Sequence, residues 1–166
     1  MNSEKKGVAI AVKEYYIFAR LTEGGLMAEP TKFTPTRKVE FEQLARDRKD
    51  DFEALREKGR WAASVYIGPY IVEARLKFKI CEALKLEQLP AVLKTHNLLA
   101  LVIFAGLLDE LKALPKVFDN FKKINRLHEN TVWRYKVADP THQANSRRLH
   151  NWLFNPTNGV MIWLGL

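Results

Sequence analysis

One stretch limits the folds open to this chain more than any other: "RWAASVYIGPYIVEARLKFKICEAL", residues 60–84. Wound as a helix of about 3.6 residues per turn, it carries two apolar stripes. Trp61, Val65, Val72, Leu76 and Ala83 make one, and Ile67, Ile71, Phe78 and Cys81 make the other. A helix that is apolar on several sides must be enclosed by neighbours, so this is the central helix of an assembly. Pro69 removes one backbone donor and predicts a kink near Val65–Pro69. Between the stripes lie Tyr66, Tyr70, Glu73 and Lys77. Glu73 and Lys77 stand four apart, acid first, the favourable order for a pair on one helix. In apolar surroundings an unpaired charge is strongly unfavourable, so the two must satisfy each other or meet a third group. Tyr66, Tyr70 or His96 should be close by. The sector reads as an internal polar network that holds register, or as a small pocket for a ligand.

The flanking segments supply the neighbours. Val39/Phe41, Leu44, Arg48, Phe52 and Leu55 form a helical stripe that Gly59 ends. A further helix begins near "THNL", with Thr95 or Asn97 as cap, and carries the apolar run Leu98–Leu108. That run is far shorter than the roughly 20 residues a membrane span needs. After Pro115, the spacing of Val117/Phe118, Phe121, Ile124, Leu127 and Val132 predicts a helix reaching Tyr135. "VADPTHQ" is a turn, "ANSRRLHNWLF" is helical, and "VMIWLGL" is an apolar helix or strand. The fold class is therefore all-α: a bundle of four to five helices over residues 39–166. Residues 1–38 form an N-terminal extension of uncertain structure, because Val8, Ile10 and Val12 alternate as in a strand while residues 8–21 also suit a helix.

Charge is uneven. Before residue 111 there are 18 Lys and Arg against 16 Asp and Glu; from there on there are nine against three. A basic C-terminal third suits an anionic partner, such as RNA or a nucleotide. Lys122, Lys123, Arg126, Arg147 and Arg148 are the candidate phosphate contacts. The single cysteine, Cys81, excludes an internal disulfide and fits a reducing cytoplasm. Gly24-Gly25 lacks the Lys-Ser/Thr of a phosphate loop, no His/Cys/carboxylate spacing suggests a metal, and neither Ser64 nor Ser146 sits on a nucleophile elbow. No cofactor is expected.

"YIGPYIVEARLK", then "THNL", then "WRY" resembles, as an ordered set, the HEPN family of small helical domains. Tyr66, Gly68, Tyr70, Glu73, Leu76 and Lys77 fall on that family's long-helix pattern. Thr95, His96, Asn97 and Leu98 match its Thr-His-Asp-Leu helix start, and Arg134 and Tyr135 match a downstream Arg-Tyr. The resemblance covers roughly residues 41–135. It implies a helical bundle that dimerises, in a toxin–antitoxin or antiviral setting, sometimes with a nucleotidyltransferase as antitoxin. Many such proteins are metal-independent ribonucleases that use an Arg and a His; others bind nucleotides, nucleic acid or protein partners. Here Arg134 and His142 are the candidate catalytic pair, separated by seven residues where the family has four to six. Tyr66, Tyr70, Glu73, Lys77, His96 and Tyr135 are the candidate polar-pocket residues. Whether the chain is an enzyme stays open. A homodimer is also expected because "VMIWLGL" would leave an apolar patch unless covered.

Overall fold

The computed structural model describes residues 35–166; the expectations for residues 1–34 lie outside them. The described residues are all-α. The helices are α1 (Lys38–Glu57), α2 (Trp61–Leu84), α3 (Leu98–Phe104), α4 (Leu108–Ala113), α5 (Pro115–Glu129), α6 (Gln143–Phe154) and α7 (Val160–Trp163). Three 3₁₀ turns, Ala91–Leu93, Thr131–Tyr135 and Pro140–His142, connect them. No described helix is long and apolar enough to cross a membrane.

Helix α1 starts where Glu40 Oε2 accepts the backbone N–H groups of Thr36 and Arg37 at 2.9 and 2.8 Å. It stops at Gly59, whose φ of 68° is the left-handed conformation glycine tolerates best. The chain reverses there, and α1 lies along α2. Helix α2 is enclosed as its composition requires: Val65, Ile71, Val72, Leu76, Ile80 and Cys81 are fully buried. Helices α3, α5 and α6 and the last two 3₁₀ turns also pack on it. Ser64 donates to Trp61 O and meets Ser146 Oγ at 2.8 Å, a buried polar tie between α2 and α6.

Gly68 sets how closely α2 approaches its neighbours. A Cβ there would lie 2.6 Å from Leu149 Cδ2 and 3.2 Å from Phe52 Cε2. Both side chains are fully buried and cannot swing into solvent. Gly68→Ala is therefore expected to destabilise the fold by about 1–3 kcal/mol through overpacking, although alanine is the better helix former. Urea unfolding of the variant with an unchanged or raised midpoint would contradict this.

Three boundaries differ from those the periodicity suggests. The run Leu98–Leu108 is not one helix. Gly106, at φ 71°, ends α3, with Gly106 N donating to Ile103 O and Leu107 N to Val102 O. These two bonds satisfy carbonyls that the last turn would leave open. Helix α5 stops at Glu129 rather than Tyr135, because Asn130 Oδ1 accepts Val132 N–H and starts a 3₁₀ turn. "VMIWLGL" forms the short α7 and turns inward: Val160, Met161 and Leu164 are buried, leaving Ile162 exposed. Arg75, itself buried, donates to the carbonyls of Leu164 and Gly165 and stacks over Phe78 at 4.6 Å. The apolar patch expected at this segment is thus covered by the chain's own core.

A buried carboxylate as the candidate functional site

The Tyr66, Tyr70, Glu73 and Lys77 sector of α2 is the polar centre of the bundle. Glu73 is 6% exposed and receives three donors. Lys77 Nζ lies 2.7 Å and His96 Nδ1 2.9 Å from Oε1; His128 Nε2 lies 2.8 Å from Oε2. A carboxylate only accepts, so each imidazole nitrogen facing it carries a hydrogen. Burial pushes the Glu73 carboxyl up, but the His128 hydrogen bond and the adjacent Lys77 charge outweigh it, and its pKa is lowered to about 2. Glu73 is therefore a firmly ionised group inside a helical core.

The three donors sit in different surroundings. The side chains of His128 and Lys77 are 6% and 12% exposed, whereas that of His96 is 79% exposed. His96 precedes α3 in a short loop that is held on both sides. Thr95 Oγ1 accepts Asn97 N–H at 3.1 Å, and Asn97 Oδ1 caps α3 by accepting Ala100 N–H at 3.0 Å.

Beyond Glu73 the sector continues toward the surface. The Tyr70 ring packs on His128 with centroids 5.1 Å apart and meets Tyr66 edge-on at 5.3 Å. Arg134 donates to Tyr70 Oη at 3.3 Å and lies over the Tyr66 ring at 5.9 Å. The hydrogen bond from Tyr70, and burial, push the Tyr66 phenol up. One chain of contacts thus runs from Lys77 and His96 through Glu73, His128 and Tyr70 to Arg134.

His128 was not among the residues that sequence reasoning placed here. The signal was present: Val117, Phe121, Ile124 and His128 follow one another at helical spacing, so His128 belongs to the buried face of α5. The nominated catalytic pair is not joined by any contact. Arg134 is held by the two tyrosines, while His142 lies edge-on against Trp133 at 5.3 Å and its Nδ1 is buried without a hydrogen-bond partner. Tyr135 is 81% exposed and packs into no pocket. His150 lies 3.3 Å from Glu53 and contacts the rings of Phe52 and Phe154; burial and then Arg56 hold its pKa below the usual histidine value.

The candidate phosphate contacts divide. Lys122 and Lys123 both pair with Asp119, at 3.7 and 2.6 Å. Arg126, Arg147 and Arg148 are exposed. Two clefts lie apart from Glu73: one of about 420 Å³ lined by Lys116, Asn120, Lys123 and Trp152, and one of about 350 Å³ lined by Leu99, Phe118 and Arg126. Among the described residues no group of three His, Cys, Asp or Glu is arranged to hold a metal.

The fold and the site define an all-helical domain built around an ionised, imidazole-bound glutamate. Comparison with protein-family models, with curated proteins and with solved structures returned no match.

Proposed function

We propose that the chain is a divergent HEPN-domain protein, a nucleic-acid-, nucleotide- or partner-binding module in a toxin–antitoxin or phage-defence setting. Single-stranded RNA is the ligand its surface suits best. The observation that carries this reading is the turn Thr131–Tyr135 and its sequel, packed against α2 at the Tyr70 end of the polar sector. It presents Tyr135 at 81% exposure, with the cations Arg134 and Lys136 on either side and Val137 exposed beyond. An exposed aromatic between cations is how proteins stack an unpaired base and hold its phosphates. The exposed Arg126, Arg147 and Arg148 add positive charge on α5 and α6. A second copy of the chain and a nucleotidyltransferase-type antitoxin are the protein partners this reading implies. Dimerisation is checked by light scattering, where the homodimer has twice the 19.2 kDa chain mass.

The test is a titration of a fluorescent single-stranded RNA. Affinity falls as salt rises, with a log–log slope set by the number of phosphates contacted. Tyr135→Ala weakens binding by about 1–3 kcal/mol, the usual worth of one stacked base. Salt-independent binding, or full affinity in Tyr135→Ala, would rule out this surface. The second reading is a metal-independent endoribonuclease acting as a dimer through Arg134 and His142. It is favoured by the unpaired Nδ1 of His142 and by the exposed Arg134.

A further inference from the structure

We propose that the cleft between α3 and α5 is a docking groove for an acidic amphipathic helix of a protein partner, anchored by a Trp or Tyr side chain. The groove lies apart from the Tyr135 turn, and the inference does not depend on the RNA-binding reading.

The floor of the cleft is apolar and its rim is cationic. Leu99 of α3 and Phe118 and Phe121 of α5 line a space of about 350 Å³. Phe121 is buried, but Leu99 is 41% exposed, and Ile103, one turn further on the same face of α3, is 38% exposed. An apolar surface of this kind beside a cleft, edged by polar side chains, marks an interaction site. Lys122, Arg126 and Glu129 stand along the α5 side. Asn125 Nδ2 donates to Glu129 at 2.9 Å, Lys122 reaches Asp119 only at 3.7 Å, and Arg126 has no ion pair among the described residues. The rim thus offers two cations and no free carboxylate. Lys122 and Arg126 are one turn apart, as are Leu99 and Ile103, so both strips repeat with the period of a helix. Their complement is a helix with an apolar stripe flanked by carboxylates.

Asn125 specifies the anchor. A carboxylate only accepts, so Nδ2 is the atom on Glu129 and Oδ1 is the other. That Oδ1 is buried without a hydrogen-bond partner among the described residues. A purely aliphatic side chain entering the cleft would leave it so. A Trp N–H or a Tyr O–H brings the missing hydrogen together with an apolar ring, and these are the side chains that anchor interfaces. Nucleic acid fits this surface less well. Lys122 Nζ already lies over the Phe118 ring at 5.2 Å and Phe121 is buried, so neither ring offers an open face to a base. Phosphates would pair the two cations and leave Leu99 and Ile103 in water.

The experiment selects peptides from a random-sequence display library on the full chain. The enriched peptides should be acidic, with apolar residues at i, i+3, i+4 and i+7 and a Trp or Tyr among them. The strongest binder, made with a fluorescein label, is then titrated by anisotropy. Leu99→Glu should weaken binding roughly thirtyfold, as loss of a hot-spot contact does. Arg126→Glu should weaken it at least about tenfold by setting like charges against each other. Arg126→Glu should also regain affinity for a peptide in which one carboxylate residue is changed to Lys, which a misfolded variant would not do. Both substituted side chains are exposed, and a cooperative melt checks each variant. Tyr135→Ala should bind the peptide as the wild type does, and Leu99→Glu should bind single-stranded RNA as the wild type does, so failure of the RNA reading is seen separately. A selection that enriches no acidic amphipathic peptide overturns the proposal, as does full peptide affinity in either groove variant. Loss of RNA binding in Leu99→Glu would assign the groove to nucleic acid and overturn the protein partner.

Discussion

Lys77→Met is expected to lower the unfolding free energy by roughly 3 kcal/mol, because it leaves an ionised carboxylate in the core without its ammonium partner. Lys77 supplies the one Glu73 contact whose charge does not depend on imidazole protonation, at 2.7 Å. His96 and His128 still donate to Glu73 in the variant, so the carboxylate keeps hydrogen bonds but loses its counter-charge. The loss should be electrostatic rather than a matter of volume, since methionine replaces most of the lysine stem. Adding Glu73→Leu removes the buried charge and should recover part of the loss. Recovery should stop short of the wild-type value because the buried His128 then has no acceptor for its Nε2–H. Adding His128→Leu should close much of that gap. Denaturant unfolding at neutral pH checks the series; a Lys77→Met midpoint equal to wild type would show that Glu73 is not held by this pair.

Acid should unfold the protein through the same carboxyl. Glu73 has a folded-state pKa of about 2 against 4.5 for the free side chain. A depressed carboxyl contributes stability that is complete above the unfolded value and declines as the pH falls toward the folded one. The contribution should therefore be full above about pH 5 and lost progressively down to about pH 2, amounting to about 3 kcal/mol. The observable is the thermal midpoint measured across that range in wild type and in Glu73→Gln. The wild-type midpoint should fall steeply, while the Gln variant starts lower and shows a flatter acid limb, because its amide does not titrate. Parallel curves would assign the acid sensitivity to other carboxylates.

Much of this molecule was legible as local pattern. Helix α2 announced itself as central because its apolar residues cover most of its circumference. The Glu73–Lys77 pair followed from a spacing of four. Thr95 or Asn97 was recognisable as the cap of α3, of which the structure uses Asn97, and Gly59 as the end of α1. Even the break within the run Leu98–Leu108 had its cause on view, since Gly106 can take the left-handed turn that Leu107 cannot take cheaply. Each of these is a property of residues a few positions apart, where helix geometry alone decides which side chains meet. His96 was expected near this pair and His128 was not, but how either one meets Glu73 is of another kind. His96 lies 23 residues from Glu73 and His128 lies 55 residues away. Periodicity places each on a face of its own helix or loop, but not which face opposes which. Only the packing of α5 and of the α3 entry against α2 decides that, because it is set by the combined fit of apolar stripes from several helices. The same packing placed the two ends of the system in opposite environments, His128 sheltered and His96 in water. It also turned "VMIWLGL" inward, where Arg75 takes its carbonyls, 89 and 90 residues along the chain. Sequence by itself determined that α2 is central, that Glu73 and Lys77 pair, and most of the apolar faces that pack; the tertiary structure decided where several helices end, that His128 would take the other Glu73 oxygen, and which imidazole would face the solvent, because those depend on how helices distant in sequence fit together.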